Sequence, residues 1–345
     1  MVEQDSKRFL SRLALCASFF SLCVIALGAF TRLIDAGLGC PDWPGCYGHL
    51  AVPVAEKAQQ LASLYPGTHL IAYKAWAEMI HRYFVGGLSL FIVAIVIFVC
   101  VQKACRIRHN IILAICLVLL LVYQILLGQW TVTLKLLPII VTQHLLGGFL
   151  ILSTLWLIYL NNHAALQNRL KGDNVGALLL WAIGALIILL LQITLGAWTS
   201  TNYASLSCLD FPFCMNDQAT IMHFKEAFNI FSPIGINYEG GVLSEAIRQT
   251  IQMTHRFGAL VFTSYMLIFM VIAMPRLQRL PELMKSLYLI LGLLCVQLCI
   301  GISNIIFKLP LVTAVGHNLI AAMLLLSVIT LIFKLAITNH KAPTV

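Results

Sequence analysis

Charged residues are scarce in this chain, and acidic residues are the scarcest. Of the 345 residues, 10% are charged and 60% are hydrophobic, with 13 Asp and Glu against 22 Lys and Arg. A soluble domain needs a charged surface, so this composition excludes one and is typical of membrane spans. The formal charge of +9 is explained by basic loops on one side of a membrane. We therefore expect no nucleic-acid partner.

The N-terminal segment lacks the small-residue cleavage site of a signal peptide. Lys7, Arg8 and Arg12 precede an apolar run that is also longer than the apolar core of such a peptide. The sequence therefore predicts an uncleaved first helix whose N-terminus lies in the cytoplasm.

Long apolar runs occur near residues 10–33, 79–101, 110–133, 138–161, 176–199, 249–273, 284–306 and 311–336. Each can cross a membrane once, because a transmembrane helix takes about 20 residues. The connections 102–109, 162–175 and 274–285 are short and basic, which places them and both termini in the cytoplasm. The sequence predicts an all-α, multi-pass protein of a bacterial inner membrane, surrounded by lipid, with long outer loops at 34–77 and 200–248.

The sequence contains an internal repeat. The segment 27–31 matches 195–199, and a cysteine pair follows each segment at the same distance. A second set recurs with one constant shift (297 − 124 = 173): Gln124, Gly128, Lys135 and His144 match Gln297, Gly301, Lys308 and His317. Each repeat holds four helices, and an even number gives both halves the same orientation. We predict two tandem, parallel four-helix bundles related by a pseudo-two-fold axis, spanning residues 1–165 and 166–345.

Four histidines lie near the predicted outer ends of helices that run in the same direction: His81, His144, His255 and His317. Ionisable residues in membrane spans are costly and usually functional. We expect each histidine in the first or second turn of its helix, near the outer face, with two in each half. Two imidazoles from facing helices suit the axial positions of a heme iron. Interhelical hydrogen bonding is the alternative, and zinc is disfavoured because each half supplies only two ligands.

The halves differ three residues before the first histidine of each pair. Glu78 and His81 project from one helical face, whereas the second half has the neutral Gln252. A carboxylate beside one site predicts that Glu78 accepts a proton or stabilises a developing cation there, while the other site holds a permanent redox heme. The alternative is an interfacial carboxylate paired with Arg82 or Lys74.

Four basic residues on the outer side are candidates for contacts with heme propionates: Arg82, Arg256, Lys135 and Lys308. Each arginine directly follows a histidine, and each lysine lies in a short turn. For the arginines, snorkelling at a helix end is an equal alternative.

The outer loops each carry a cysteine pair, Cys40 with Cys46 and Cys208 with Cys214. The outer side of a bacterial membrane is oxidising, so we expect a local disulfide in each pair. A structural staple on a long loop is the default interpretation, and a redox-active dithiol above the heme site is the alternative.

Together these residues resemble the heme A synthase family of membrane enzymes. The matching motifs span nearly the whole chain. They are Thr31-Arg32-Leu33, Gly39-Cys40-Pro41-Asp42-Trp43-Pro44, Glu78-Met79-Ile80-His81-Arg82, Gln143-His144, Thr254-His255-Arg256 and Gly316-His317-Asn318. The segment around Cys40 combined with Glu-x-x-His-Arg is the most specific part of this resemblance.

The resemblance implies an oxidoreductase that converts the C8 methyl group of heme O to the formyl group of heme A by successive hydroxylations. His81 and His144 would hold the substrate heme O, and His255 and His317 a heme B cofactor. Glu78 would be the key acid of the substrate site, and Cys40–Cys46 the cysteine pair linked to activity. A heme A-dependent cytochrome oxidase is then expected in the same membrane, and heme O synthase is a candidate partner. The sequence leaves a homo-oligomer open.

Two other functions would use the same four histidines. A bis-heme b-type cytochrome that passes electrons, for example from quinol, would hold two permanent hemes. A heme transporter or chaperone would bind heme transiently at the outer face. The absence of a counterpart to Glu78, together with the family motifs, favours the enzyme.

Overall fold

The computed structural model describes residues 2–60, 64–65, 67–163, 175–214 and 222–339. In these ranges the chain forms eight long helices, each apolar enough to cross a membrane. They are α1 (Val2–Leu33), α2 (Ala72–Val101), α3 (Arg108–Thr133), α4 (Pro138–Asn162), α5 (Gly176–Thr201), α6 (Glu245–Leu277), α7 (Pro281–Ile306) and α8 (Leu311–Asn339). The prediction of an all-α protein with eight spans is confirmed.

Several helices begin earlier than the hydrophobic pattern predicts, among them α2 and α6, which carry His81 and His255. Helix α2 starts at Ala72 instead of residue 79, and α6 starts at Glu245 instead of residue 249. The added turns carry charged residues, which hydropathy assigns to loops. His81 and His255 consequently lie in the third turn of their helices, so the prediction of the first or second turn is wrong for these two.

The helices pack in two groups of four. In the first group α1 and α3 each contact both α2 and α4, and in the second α5 and α7 each contact both α6 and α8. The groups meet through contacts of α1 with α8 and of α4 with α5 and α8. The pseudo-two-fold relation stays a prediction, and the predicted boundary between residues 165 and 166 lies outside the described residues.

Polar side chains link the two groups of helices. Thr142 of α4 and Thr201 of α5 share a hydrogen bond of 3.1 Å, and the indole N–H of Trp156 donates to Thr330 of α8 at 2.8 Å. Such bonds contribute about 0.6 kcal/mol each in membrane proteins, where close packing of apolar side chains supplies most of the attraction. Polar contacts as well as apolar packing therefore join the two groups of helices.

The turns α3–α4 and α7–α8 have the same backbone conformation. Lys135 and Leu136 have φ values of 50° and 61°, and Lys308 and Leu309 have 54° and 64°. Residues other than glycine rarely adopt this left-handed backbone region, because it costs them about 1–2 kcal/mol each. The same strained turn at matching positions of the repeat fixes how the second helix of each pair returns into the membrane.

Candidate functional site

His81 and His255 each pack against a glycine of the preceding long helix. A Cβ atom added to Gly28 of α1 would lie 3.0 Å from Cε1 of His81, and one on Gly196 of α5 would lie 3.0 Å from Cε1 of His255. These distances are shorter than ordinary van der Waals contact. Only glycine leaves room for the ring at either position.

His144 and His317 also lie against glycines, across the strained turns, with close crowding at Gly301 and ordinary van der Waals contact at Gly128. A Cβ on Gly128 of α3 would lie 3.5 Å from Cε1 of His144, and one on Gly301 of α7 would lie 3.2 Å from Cε1 of His317. We call Gly28, Gly128, Gly196 and Gly301 the histidine-facing glycines. Together they set the position of all four imidazole rings.

The four rings come together as two pairs. His81 interacts electrostatically with His144, and His255 interacts with His317. In the described part of the chain, Nδ1 of His81, of His144 and of His317 is buried without a hydrogen-bond partner, and the amide nitrogen of Gln297 lies 3.3 Å from Nε2 of His317. Buried polar atoms without partners are uncommon and call for a bound group or ion. The paired imidazoles, each beside a glycine, fit a heme held by two axial histidines.

The hydrogen bonding around His81 and His255 differs. The side-chain amide nitrogen of Gln192 lies 3.1 Å from Nδ1 of His255 and donates to the backbone carbonyl of His255 at 3.0 Å. The repeat places Val24 at the corresponding position of the first half (192 − 168 = 24). An apolar side chain offers no such bond, so His81 lacks the side-chain contact that His255 has.

The space beside the two rings is filled differently as well. A Cβ on Gly258 would collide with the side chain of Gln192. The corresponding residue of the first half is Phe84 (258 − 174 = 84), whose ring stacks on Phe20 with 5.3 Å between centroids. The first site therefore has an aromatic wall, and the second has a polar amide.

Glu78 lies beneath the first disulfide loop. Its side chain is buried, with 5% of the residue exposed, and accepts hydrogen bonds from the backbone N–H of Cys40 at 2.9 Å and from Nη2 of Arg82 at 2.5 Å. The pairing with Arg82 that the sequence offered as an alternative is present, whereas Lys74 pairs with Glu239. The hydrogen bonds from Cys40 and Arg82 hold the Glu78 carboxylate in one position at the first site.

Gln252 makes the corresponding contacts in the second half without a charge. Its amide nitrogen donates to the carbonyl of Ser205 at 2.7 Å, and its oxygen accepts from the hydroxyl of Ser207 at 3.2 Å. Both halves therefore connect this helical position to the loop that follows α1 or α5. Only the first half does so with a carboxylate.

Arg82 and Arg256 hold the two disulfide loops. Nη1 of Arg82 donates to the carbonyls of Asp42 at 2.9 Å, Pro44 at 3.1 Å and Gly45. Arg256 donates to the carbonyls of three residues of the second loop: Cys208 at 2.6 Å, Asp210 at 2.6 Å and Pro212 at 3.1 Å. A guanidinium with this many acceptors has few N–H groups left, and its contact with a propionate stays a prediction.

Both predicted disulfides are present. The Cα atoms are 4.8 Å apart in Cys40–Cys46 and 5.5 Å apart in Cys208–Cys214. The side chains of Lys135 and Lys308 are exposed in the outer turns. The predicted propionate contacts of these lysines also stay predictions.

Comparison with known proteins identifies the family. The model of the COX15-CtaA family, described as cytochrome oxidase assembly protein, matches residues 11–329. A heme A synthase of Shewanella oneidensis is 42% identical over 315 residues, which cover 90% of this chain and 92% of that protein. The chain belongs to the heme A synthase family. Heme A synthases of Bacillus licheniformis and Bacillus pumilus are 25% and 22% identical, each over 89% of this chain and over 90% and 88% of their own lengths.

Membership of the heme A synthase family confirms the resemblance drawn from the sequence motifs. With eight apolar helices, this member is a multi-pass membrane protein. A heme-related enzyme family also agrees with two sites built from paired histidines, and it favours the enzyme over a cytochrome that only passes electrons.

Sequence reasoning missed the role of the histidine-facing glycines in this heme A synthase family member. All four belong to the sets that revealed the repeat, since Gly28 matches Gly196 and Gly128 matches Gly301. A glycine that recurs at the repeat shift beside a recurring histidine was therefore an available signal. Gln192 gave no such signal, because its counterpart is a valine.

Proposed function

We propose that this chain is a heme A synthase that oxidises the C8 methyl group of heme O to a formyl group. Family membership supports the substrate and the class of reaction. The observation that carries the proposal is the difference between the two sites. The buried carboxylate of Glu78 lies at the first site, and the neutral Gln252 takes its place at the second.

In this proposal His81 and His144 hold heme O, and His255 and His317 hold a heme B cofactor. Heme B, when bound, supplies reversible one-electron redox chemistry. The Gln192 amide contacts the His255 ring and its backbone carbonyl and so holds the ring in one orientation, which supports its assignment to the retained cofactor. Among the described residues, Nδ1 of His81 has no hydrogen-bond partner, and a valine stands where the second half has Gln192, which suits a substrate that must enter and leave.

Glu78 serves the substrate in this scheme. Each hydroxylation replaces a C–H bond of the methyl carbon with a C–O bond and withdraws two electrons, which an external electron acceptor must take up. Where water supplies the oxygen, each hydroxylation also releases two protons, and loss of water from the hydrated aldehyde then gives the formyl group without further oxidation. A buried carboxylate accepts such a proton or stabilises a developing positive charge. The contacts from Cys40 and Arg82 keep Glu78 in one position, so its reorganisation during the reaction is small.

The orientation in the membrane is part of the proposal. The connection 102–109 is basic, which supports a cytoplasmic side there and, by the count of spans, at both termini. The disulfides Cys40–Cys46 and Cys208–Cys214 support an oxidising outer side for the two loops and the heme sites. In a bacterium this places the chain in the inner membrane, near a heme O synthase that would supply its substrate.

Analysis of extracted hemes tests the function. The chain is expressed in a host that makes heme O but lacks heme A, and the hemes are separated by chromatography with mass detection. Heme A or its hydroxylated intermediate is the expected product. Two hemes B per chain with no oxidised product would instead indicate the electron-transfer cytochrome.

Substitution of a histidine-facing glycine should weaken heme binding. In Gly196→Val the new side chain collides with the His255 ring, and overpacking of this kind costs about 1–3 kcal/mol, or about 5- to 150-fold in binding. Heme content per purified chain measures the effect. Gly292→Val in α7 is the control, since a Cβ at Gly292 meets no described atom within 4 Å. Equal heme content in both variants would contradict the packing argument.

A further inference from the structure

One basic residue lies seven positions before the first histidine of each pair. These residues are Lys74 before His81 (81 − 74 = 7) and Arg248 before His255 (255 − 248 = 7). Seven residues are about two helical turns, so each basic residue lies on the same helical face as its histidine, about 10.5 Å nearer the outer end. The histidine spacing of the repeat also makes Lys74 and Arg248 counterparts (248 − 174 = 74).

Arg248 lacks an acceptor among the residues that the structure describes. Its side chain is half-buried, and its Nε is fully buried without a hydrogen bond. A guanidinium carries five N–H donors, and leaving them unpaired away from water is unfavourable. A carboxylate is the acceptor that best matches this geometry. The Nε of Arg256 is likewise buried without a hydrogen bond to a described residue, but both of its terminal nitrogens donate to carbonyls of the loop.

Lys74 already has a carboxylate. Its Nζ lies 3.5 Å from Oε1 of Glu239, and the two side chains are 20% and 33% exposed. Glu239 belongs to the loop between α5 and α6, which is part of the second half of the chain. The neighbouring Tyr238 is buried and donates its backbone N–H to the carbonyl of Lys135 at 3.1 Å. The loop of one half is thus fixed over the site of the other.

We propose that Lys74 and Arg248 bind the propionates of the two hemes, and that Glu239 is a displaceable substitute for a propionate at Lys74. This inference rests on the proposed function. A heme entering the first site must displace Glu239, whereas no described carboxylate competes for Arg248. The difference makes the first site exchangeable, as a substrate site must be, and the second site retentive.

Hemin binding to the purified full-length protein tests the role of Glu239. Protein that retains one heme per chain is titrated with hemin, and the change in Soret absorbance gives the affinity of the first site. Glu239→Gln should bind hemin about 2- to 5-fold more tightly, because a partly exposed ion pair no longer competes. Hemin dimethyl ester, whose propionates are uncharged, should bind both proteins equally. Equal hemin affinities, or the same gain for the ester, would overturn the proposal.

Two further variants make the test specific. When Lys74→Gln is already present, adding Glu239→Gln should not change the hemin affinity, because the two residues act through one contact. Glu226→Gln, an exposed acid of the same loop, is the control and should behave like the unmodified protein. Additive effects of the Lys74 and Glu239 substitutions would overturn the coupling.

The amount of heme that the protein retains after purification tests the second site. Arg248→Gln should lower the heme retained after purification about 10-fold or more, and Arg248→Lys should restore part of it. Unchanged heme content in Arg248→Gln would contradict the assignment.

Extraction of hemes from the unmodified protein separates this inference from the proposed function. Hemin binding without heme A production contradicts only the function, and heme A production without an effect of Glu239→Gln contradicts only the inference. Absence of hemin binding would contradict both.

Discussion

His255→Ala should remove the heme that the protein retains on purification. The substitution deletes one axial ligand together with the ring that packs on Gly196 and contacts Gln192. Loss of a residue that only supports a ligand costs about 10- to 100-fold in affinity, so loss of the ligand should cost at least as much. Heme absorbance per chain after purification in detergent measures it.

His69→Ala is the matched control for this prediction. His69 is an exposed histidine of the first outer loop, and the repeat gives it no partner. Its replacement should leave the heme content and the spectrum unchanged. An unchanged spectrum in His255→Ala itself would refute the ligand assignment.

Glu78→Gln should abolish heme A formation while the retained heme stays in place. General acid–base groups contribute about 10²- to 10⁴-fold to a rate, and glutamine can neither accept the proton nor supply the charge. In the proposed arrangement His255 and His317 of the other half hold the retained heme, so its content should not change. Heme A and retained heme B are quantified from the same extract.

A structural role of Glu78 predicts a different pattern. Glutamine keeps an oxygen that can accept from the Cys40 N–H, and Arg82 keeps its carbonyl acceptors in the loop. If Glu78 only holds the loop, Glu78→Gln should stay largely active and Glu78→Ala should not. Glu245→Gln, at an exposed acid in the first turn of α6, controls for loss of a negative charge and should stay active.

The sequence was sufficient for the eight spans and the two cysteine pairs. These features depend on composition and on the repeat, which are visible in a single chain. The starts of α2 and α6 were not predictable from hydropathy. Their first turns carry Lys74 and Arg248, and such charged turns are compatible with helix here because they adjoin the long loops that precede α2 and α6.

The contacts of Arg82 and Arg256 were also beyond the sequence. Their acceptors are backbone carbonyls, which every residue possesses, so no motif marks them. The pairing of Lys74 with Glu239 joins residues 165 positions apart without support from the repeat. Only the three-dimensional course of the second outer loop brings Glu239 to the first half.

Leu136, in the strained turn between α3 and α4, lies eight residues after Gly128 and eight before His144. Leu309, in the turn between α7 and α8, likewise lies eight residues after Gly301 and eight before His317. The two helices of a hairpin have the same rise per residue, so the glycine and the histidine lie at the same depth along the helices. The pattern of Gly, fifteen residues and His, with Lys-Leu at its centre, is therefore a fingerprint that can be searched for in single sequences. We expect membrane hairpins that carry it to present an imidazole at a fixed depth, whatever cofactor they bind.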